Sequence, residues 1–144
     1  MTFNELGLQS FLTDKCKSLG FNEPTPIQQQ AIPLILDGKN VIATAETGTG
    51  KTAAFAIPIL QILHEQKPMA PGIKVLILTP TRELAIQIEE SFAAYGKFTG
   101  IRHTVIFGGV SQMNQTNALR RGVDVLVATP GRLLDLMSQG YIRL

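Results

Sequence analysis

Apolar residues follow two rhythms along this 144-residue chain. In some stretches they recur every three or four positions, as on the buried stripe of a helix. Elsewhere they run unbroken, as in a strand covered on both faces. Phe11, Leu12, Cys16 and Leu19 set a first helix over residues 10–19, with Gly20 placed to end it. A second spans residues 25–36, with Thr25 as N-cap and Pro26 as first helical residue, and closes before Asp37-Gly38. From there strands and helices alternate. Strands are expected at residues 40–44, 73–79 (IKVLILT), 102–107 and 123–128 (VDVLVA), the second and the last buried on both faces. Helices are expected at residues 50–66, with a disturbance at Pro58, and at 82–98, 111–121 and 130–138. Leu84, Ile88, Phe92 and Tyr95 form the buried stripe of the 82–98 helix.

This alternation predicts an α/β fold, a parallel sheet with helices on both faces, preceded by a helical segment over residues 1–38. Parallel sheets of this kind bind ligands at the carboxyl ends of their strands. Every unusual short segment falls on such an end: AETGTG, PTRE, GG and TPGR follow the four strands in turn. One sheet edge therefore carries the chemistry.

Composition narrows the classes without choosing among them. The chain is 44% hydrophobic, enough for a core, and holds no internal repeat or low-complexity tract. Charged residues reach 17%, and the net charge of +2 is too small to imply a nucleic-acid partner by itself. The single Cys16 excludes an internal disulfide, and His64 and His103 show no metal-ligand spacing. No apolar run has the roughly 18 residues of a membrane span, and MTFNELGLQS lacks the basic start and apolar stretch of a signal peptide. A cytosolic protein is expected.

AETGTGKT carries the most specific chemistry. In Ala45, Glu46, Thr47, Gly48, Thr49, Gly50, Lys51 and Thr52 the glycines let successive backbone N–H groups turn toward phosphate oxygens. Lys51 reaches the β- and γ-phosphates, the Thr52 hydroxyl ligates Mg²⁺, and the following helix adds its positive N-terminal end. Lys51 and Thr52 are the catalytic candidates. The other segments carry two readings each. Thr25 and Gln28 form a capping box, yet a Gln amide also offers the donor and acceptor that an adenine edge requires, and Phe21 could stack on the base. Thr81 and Thr129 are N-caps with Arg82 and Arg132 close behind; equally, two such helix starts could hold two phosphates of a nucleic-acid strand, with Gly108 and Gly109 admitting its backbone.

Taken in order, Phe3, Gly20-Phe21, Pro24-Thr25-Pro26-Ile27-Gln28, AETGTGKT, PTRELA, GG and TPGR resemble the first RecA-like domain of a DEAD-box RNA helicase. The resemblance covers residues 3–132; Glu46 stands where the family commonly has Gln. It implies a Q-motif helical segment (residues 1–38), part of a RecA-like ATP-binding domain (residues 39–144), and ATP hydrolysis coupled to RNA unwinding. Phe21, Thr25 and Gln28 would hold adenine, with Phe3 bracing them, and residues 45–52 would hold the phosphates and Mg²⁺. Thr81, Arg82, Gly108, Gly109, Thr129 and Arg132 would contact the RNA sugar-phosphate backbone without reading bases.

Phosphoryl transfer also needs an acidic residue after a second strand, and no apolar strand here ends in Asp or Glu. In the family the DEAD segment comes shortly after TPGR, so the chain reads as an amino-terminal piece, nearly inactive alone. The strands carrying DEAD and SAT lie between the phosphate-loop and PTRELA strands in the family. The expectation is that the 40–44 strand pairs directly with the PTRELA strand, or that exposed edges promote self-association. A small P-loop kinase would need an Arg-rich lid and a second acidic strand end, and neither is found. A non-catalytic module binding nucleotide or RNA shares every residue with the helicase reading.

Overall fold

The structure is a computed structural model that describes every residue except Thr47, Thr49 and Met69. It divides into two compact units, Met1–Lys67 and Pro68–Leu144.

In the first unit a 3₁₀ turn (Phe3–Leu6) precedes helices α1 (Ser10–Ser18), α2 (Pro26–Leu36) and α3 (Lys51–Glu65). Local chemistry sets α2 as expected: Thr25 accepts from the Gln28 N–H, Gln28 reaches back to the Thr25 N–H, and Pro26 starts the helix. α3 packs along α2 and buries Ala53, Ala54, Ala56, Ile57, Leu60 and Leu63. It runs unbroken through Pro58, which is itself buried. Gln61 ties the amino-terminal segment to α3: its Oε1 accepts from the Gln9 N–H at 2.7 Å and its Nε2 donates to the Gly7 carbonyl at 2.9 Å. Cys16 is fully buried in this unit, and that burial pushes its thiol up to about 11, as suits a core residue.

Residues 40–44 do not form the expected strand, and Ile42 is 100% exposed. An apolar run supplies β propensity, but a strand exists only where its N–H and C=O groups find a ladder.

The second unit contains β1 (Val75–Leu78), α4 (Arg82–Tyr95), β2 (His103–Ile106), α5 (Met113–Arg121), β3 (Val125–Ala128) and α6 (Pro130–Ser138). Its three strands are all parallel in the order β1-β3-β2, with Val75 and His103 both level with Val125. The chain steps past one position through α4 and returns through α5. Right-handed crossovers then put these two helices on opposite faces. β3, in the centre, is buried throughout, as its unbroken apolar run predicts. β1 carries the same kind of run but lies at the edge: Val75, Leu76 and Ile77 are half-buried and Leu78 is 55% exposed. On α4 the buried positions are Ala85, Ile88, Phe92 and Tyr95, while Leu84, in the first turn, is exposed. Leu133 and Leu136 of α6 join Ile106, Leu126, Ala128 and Ile142 in one apolar cluster. Each such leucine contributes roughly 1.5–3 kcal/mol by leaving water.

At the amino ends of the strands Asp124 is 2% exposed. Its carboxylate accepts from Lys74 Nζ at 3.1 Å and from the Arg102 N–H at 2.9 Å, and the Arg102 guanidinium lies 3.7 Å away. A buried carboxylate is tolerable only when paired in this way.

Candidate functional site

In the first unit the start of α3 and the start of α2 are joined by one side chain. Gln28 is 6% exposed, and its Nε2 donates to the Gly50 carbonyl at 3.2 Å while its Oε1 accepts from the Thr25 N–H at 3.0 Å. An amide has two N–H donors and two acceptor lone pairs. One of each remains, so the capping and base-reading roles of Gln28 are compatible. Gly50 also accepts the first α3 bond, from the Ala54 N–H at 3.1 Å.

Gly50 has φ +82°, and a Cβ there would lie 2.4 Å from Gln28 Nε2. Glycine is therefore required twice over, by backbone conformation and by close approach. Gly48 also has positive φ, with open space around it. Lys51 is exposed at the first position of α3 and Thr52 is half-buried behind it, so both stand in the first turn, where the helix end favours anions. Ala45 and Glu46 precede them; Thr47 and Thr49 of the expected loop lie outside the described residues. Phe21, the expected stacking residue, is 49% exposed. A cavity of about 250 Å³ borders Lys51, walled by apolar residues including Ile27, Ala31, Val41 and Phe55. Glycines with positive φ, a helix N-terminus, a cation and a hydroxyl form a donor set that fits a nucleotide phosphate with its Mg²⁺.

In the second unit all six expected backbone-contact residues lie just past the carboxyl ends of the three strands. Thr81 caps α4, its Oγ1 accepting from the Leu84 N–H at 3.2 Å. Thr129 stands at the same place before α6 but makes no side-chain cap bond, although its N–H continues the sheet ladder to the Ile106 carbonyl at 3.1 Å. The shared Thr-Pro spelling conceals this difference. Gly109 has φ +81°, whereas a Cβ at Gly108 would meet nothing within 4 Å.

Two residues that sequence reasoning passed over link these segments. The Arg82 guanidinium lies 5.0 Å from the centre of the Phe107 ring. The Phe107 carbonyl accepts from Gln115 Nε2 at 3.1 Å, and Gln115 Oε1 accepts from Arg132 at 2.9 Å. Arg132 donates a second bond, at 2.8 Å, to the Val110 carbonyl. A ring beside a Gly-Gly pair and a glutamine on a short helix have no local signature. The nearest signal is that the buried residues of α5 are Gln115 and Thr116, both polar.

A phosphate-type helix start in the first unit and, in the second, a parallel sheet with a glycine- and arginine-bearing edge are each features of nucleotide-handling proteins. Residues 25–143 match the DEAD/DEAH box helicase family, and the chain belongs to that family. It is 51% identical over 135 residues to the ATP-dependent rRNA helicase RRP3 of Kluyveromyces lactis, covering 93% of this chain and 27% of that protein. It is 44% identical to the ATP-dependent RNA helicase DBP2 of Chaetomium globosum, covering 99% of this chain and 26% of that one. Among solved structures, a DEAD box protein from the hyperthermophile Methanococcus jannaschii superposes with a TM-score of 0.90 at 40% identity, over 100% of this chain and 39% of that one. The RNA helicase Prp28 from Chaetomium thermophilum bound to ADP gives 0.90 at 41% identity, over 99% and 35%. The chain thus spans about a quarter of the length of these curated relatives.

Proposed function

We propose that this chain supplies the ATP-binding loop and an RNA-backbone surface of an ATP-dependent RNA helicase. The observation that carries the reading is the bond from Gln28 to the Gly50 carbonyl, 3.2 Å long, which joins the base-reading side chain to the phosphate-binding turn. Lys51 and backbone N–H groups at the start of α3 hold the phosphates, Thr52 ligates Mg²⁺, and the spare donor and acceptor of Gln28 take adenine against Phe21. Bound ATP with Mg²⁺ supplies the phosphoryl group whose hydrolysis drives unwinding. Thr81, Arg82, Gly108, Gly109, Thr129 and Arg132 hold the sugar-phosphate backbone of RNA and read no base.

The chain alone hydrolyses ATP poorly, because none of the three strands among the described residues ends in an acidic residue that could orient water. No described helix is long and apolar enough to cross a membrane. The exposed edge at Leu78 and the exposed Ile42 favour self-association at high concentration, seen in light scattering as a mass rising above that of one chain.

The nucleotide reading is tested by titrating a fluorescent ATP analogue in Mg²⁺. Lys51→Ala should weaken binding at least tenfold, and Gly50→Ala should do the same by displacing Gln28. Unchanged affinity in both variants would overturn it.

A further inference from the structure

Burying a glutamine amide is costly unless both its ends are bonded. Gln115 is 7% exposed and both ends are used, one on the Phe107 carbonyl and one on Arg132. Arg132 is thereby held between two neutral acceptors, the Gln115 amide and the Val110 carbonyl. Among the described residues no carboxylate pairs with it. A guanidinium has five N–H donors and two are committed, so it keeps free donors and an uncompensated charge in a set orientation.

The same amide closes a ring of contacts around the glycines. Phe107 and Val110 flank Gly108-Gly109, and both their carbonyls are engaged, one by Gln115 and the other by Arg132. Glycines cost the most entropy to hold still, and Gly109 already sits at φ +81°. A loop tied down on both sides of such a pair loses little further freedom when a ligand arrives.

We propose that Gln115 is a positioning residue for RNA: it locks the Gly108-Gly109 loop and Arg132 into one preorganised phosphate-binding unit. The role rests on the reading of this strand edge as an RNA-backbone surface. Gln115 touches no phosphate itself and acts through Arg132 and the loop.

The test uses the chain, a labelled oligouridylate and the near-isosteric variant Gln115→Met, which keeps volume and removes both bonds. Amide exchange at residues 108–110 should quicken without RNA, and oligouridylate affinity should fall roughly tenfold. Because the charge of Arg132 remains, the salt dependence of binding should stay unchanged. In the double variant with Arg132→Ala, the loss should be smaller than the sum of the two single losses, because the part of Gln115 that acts through Arg132 is counted once. Gln115→Glu, which keeps an acceptor for Arg132 but loses the donor to Phe107, should also quicken exchange, and it carries the test if the Met variant does not fold. Unchanged exchange, unchanged affinity, or additive losses would each overturn the proposal. If the unaltered chain binds no oligouridylate, the RNA reading falls, while the exchange rates still decide whether Gln115 holds the loop.

Discussion

At the amino ends of the strands, Lys74 and Arg102 meet the buried carboxylate of Asp124. At the carboxyl ends, Arg82 and Arg132 meet an aromatic ring, an amide oxygen and a backbone carbonyl. The first arrangement sets cations against a buried carboxylate and the second holds them among neutral groups. A paired ion inside a protein leaves little for a ligand to gain, whereas a cation held by neutral acceptors keeps its attraction for a phosphate. One end of the sheet holds the fold together and the other presents oriented cations.

The strongest way to break this contrast is at Asp124. Asp124→Asn should destabilise the chain by about 3 kcal/mol in urea unfolding, since it leaves Lys74 without its partner; a cost under about 1 kcal/mol would mean the amino end is not held electrostatically.

Arg82→Ala should instead leave stability nearly intact, Arg132→Ala should cost about 1–3 kcal/mol by leaving the buried Gln115 Oε1 without its donor, and each should weaken oligouridylate binding by about tenfold. Each should also flatten the dependence of log affinity on log salt by about 0.7, the expected loss for one phosphate contact on a single strand. Arg102→Ala should leave that slope unchanged. Equal slopes for all three would erase the distinction between the two ends.

Smaller effects sharpen the picture within the carboxyl end. Thr81→Ala should cost about 1 kcal/mol of thermal stability by uncapping α4, while Thr129→Ala, which removes no cap, should cost under about 0.5 kcal/mol. Gly108→Ala should likewise fold normally, since its Cβ meets nothing within 4 Å, and should show its effect only in RNA affinity.

Much of this was legible in the chain. The capping box of Thr25 and Gln28, the start of α2 at Pro26 and the buried run of β3 involve neighbours in sequence, so local chemistry sufficed. The opposite fates of Thr81 and Thr129 were not legible, because capping depends on where the hydroxyl turns. Phe107 and Gln115 were missed for a different reason: their partners lie in other elements.

Periodicity and contacts a few residues apart were enough to set the six helices, three of the four expected strands, the family and the places where a strand gives way to a chemically unusual loop. Folding in three dimensions settled that β3 is central and β1 an edge, that residues 40–44 form no strand, and that one buried amide joins the glycine loop to Arg132. Ladder pairing, burial and the satisfaction of a buried polar group depend on partners brought together by folding, and similar runs of residues meet different partners at different places.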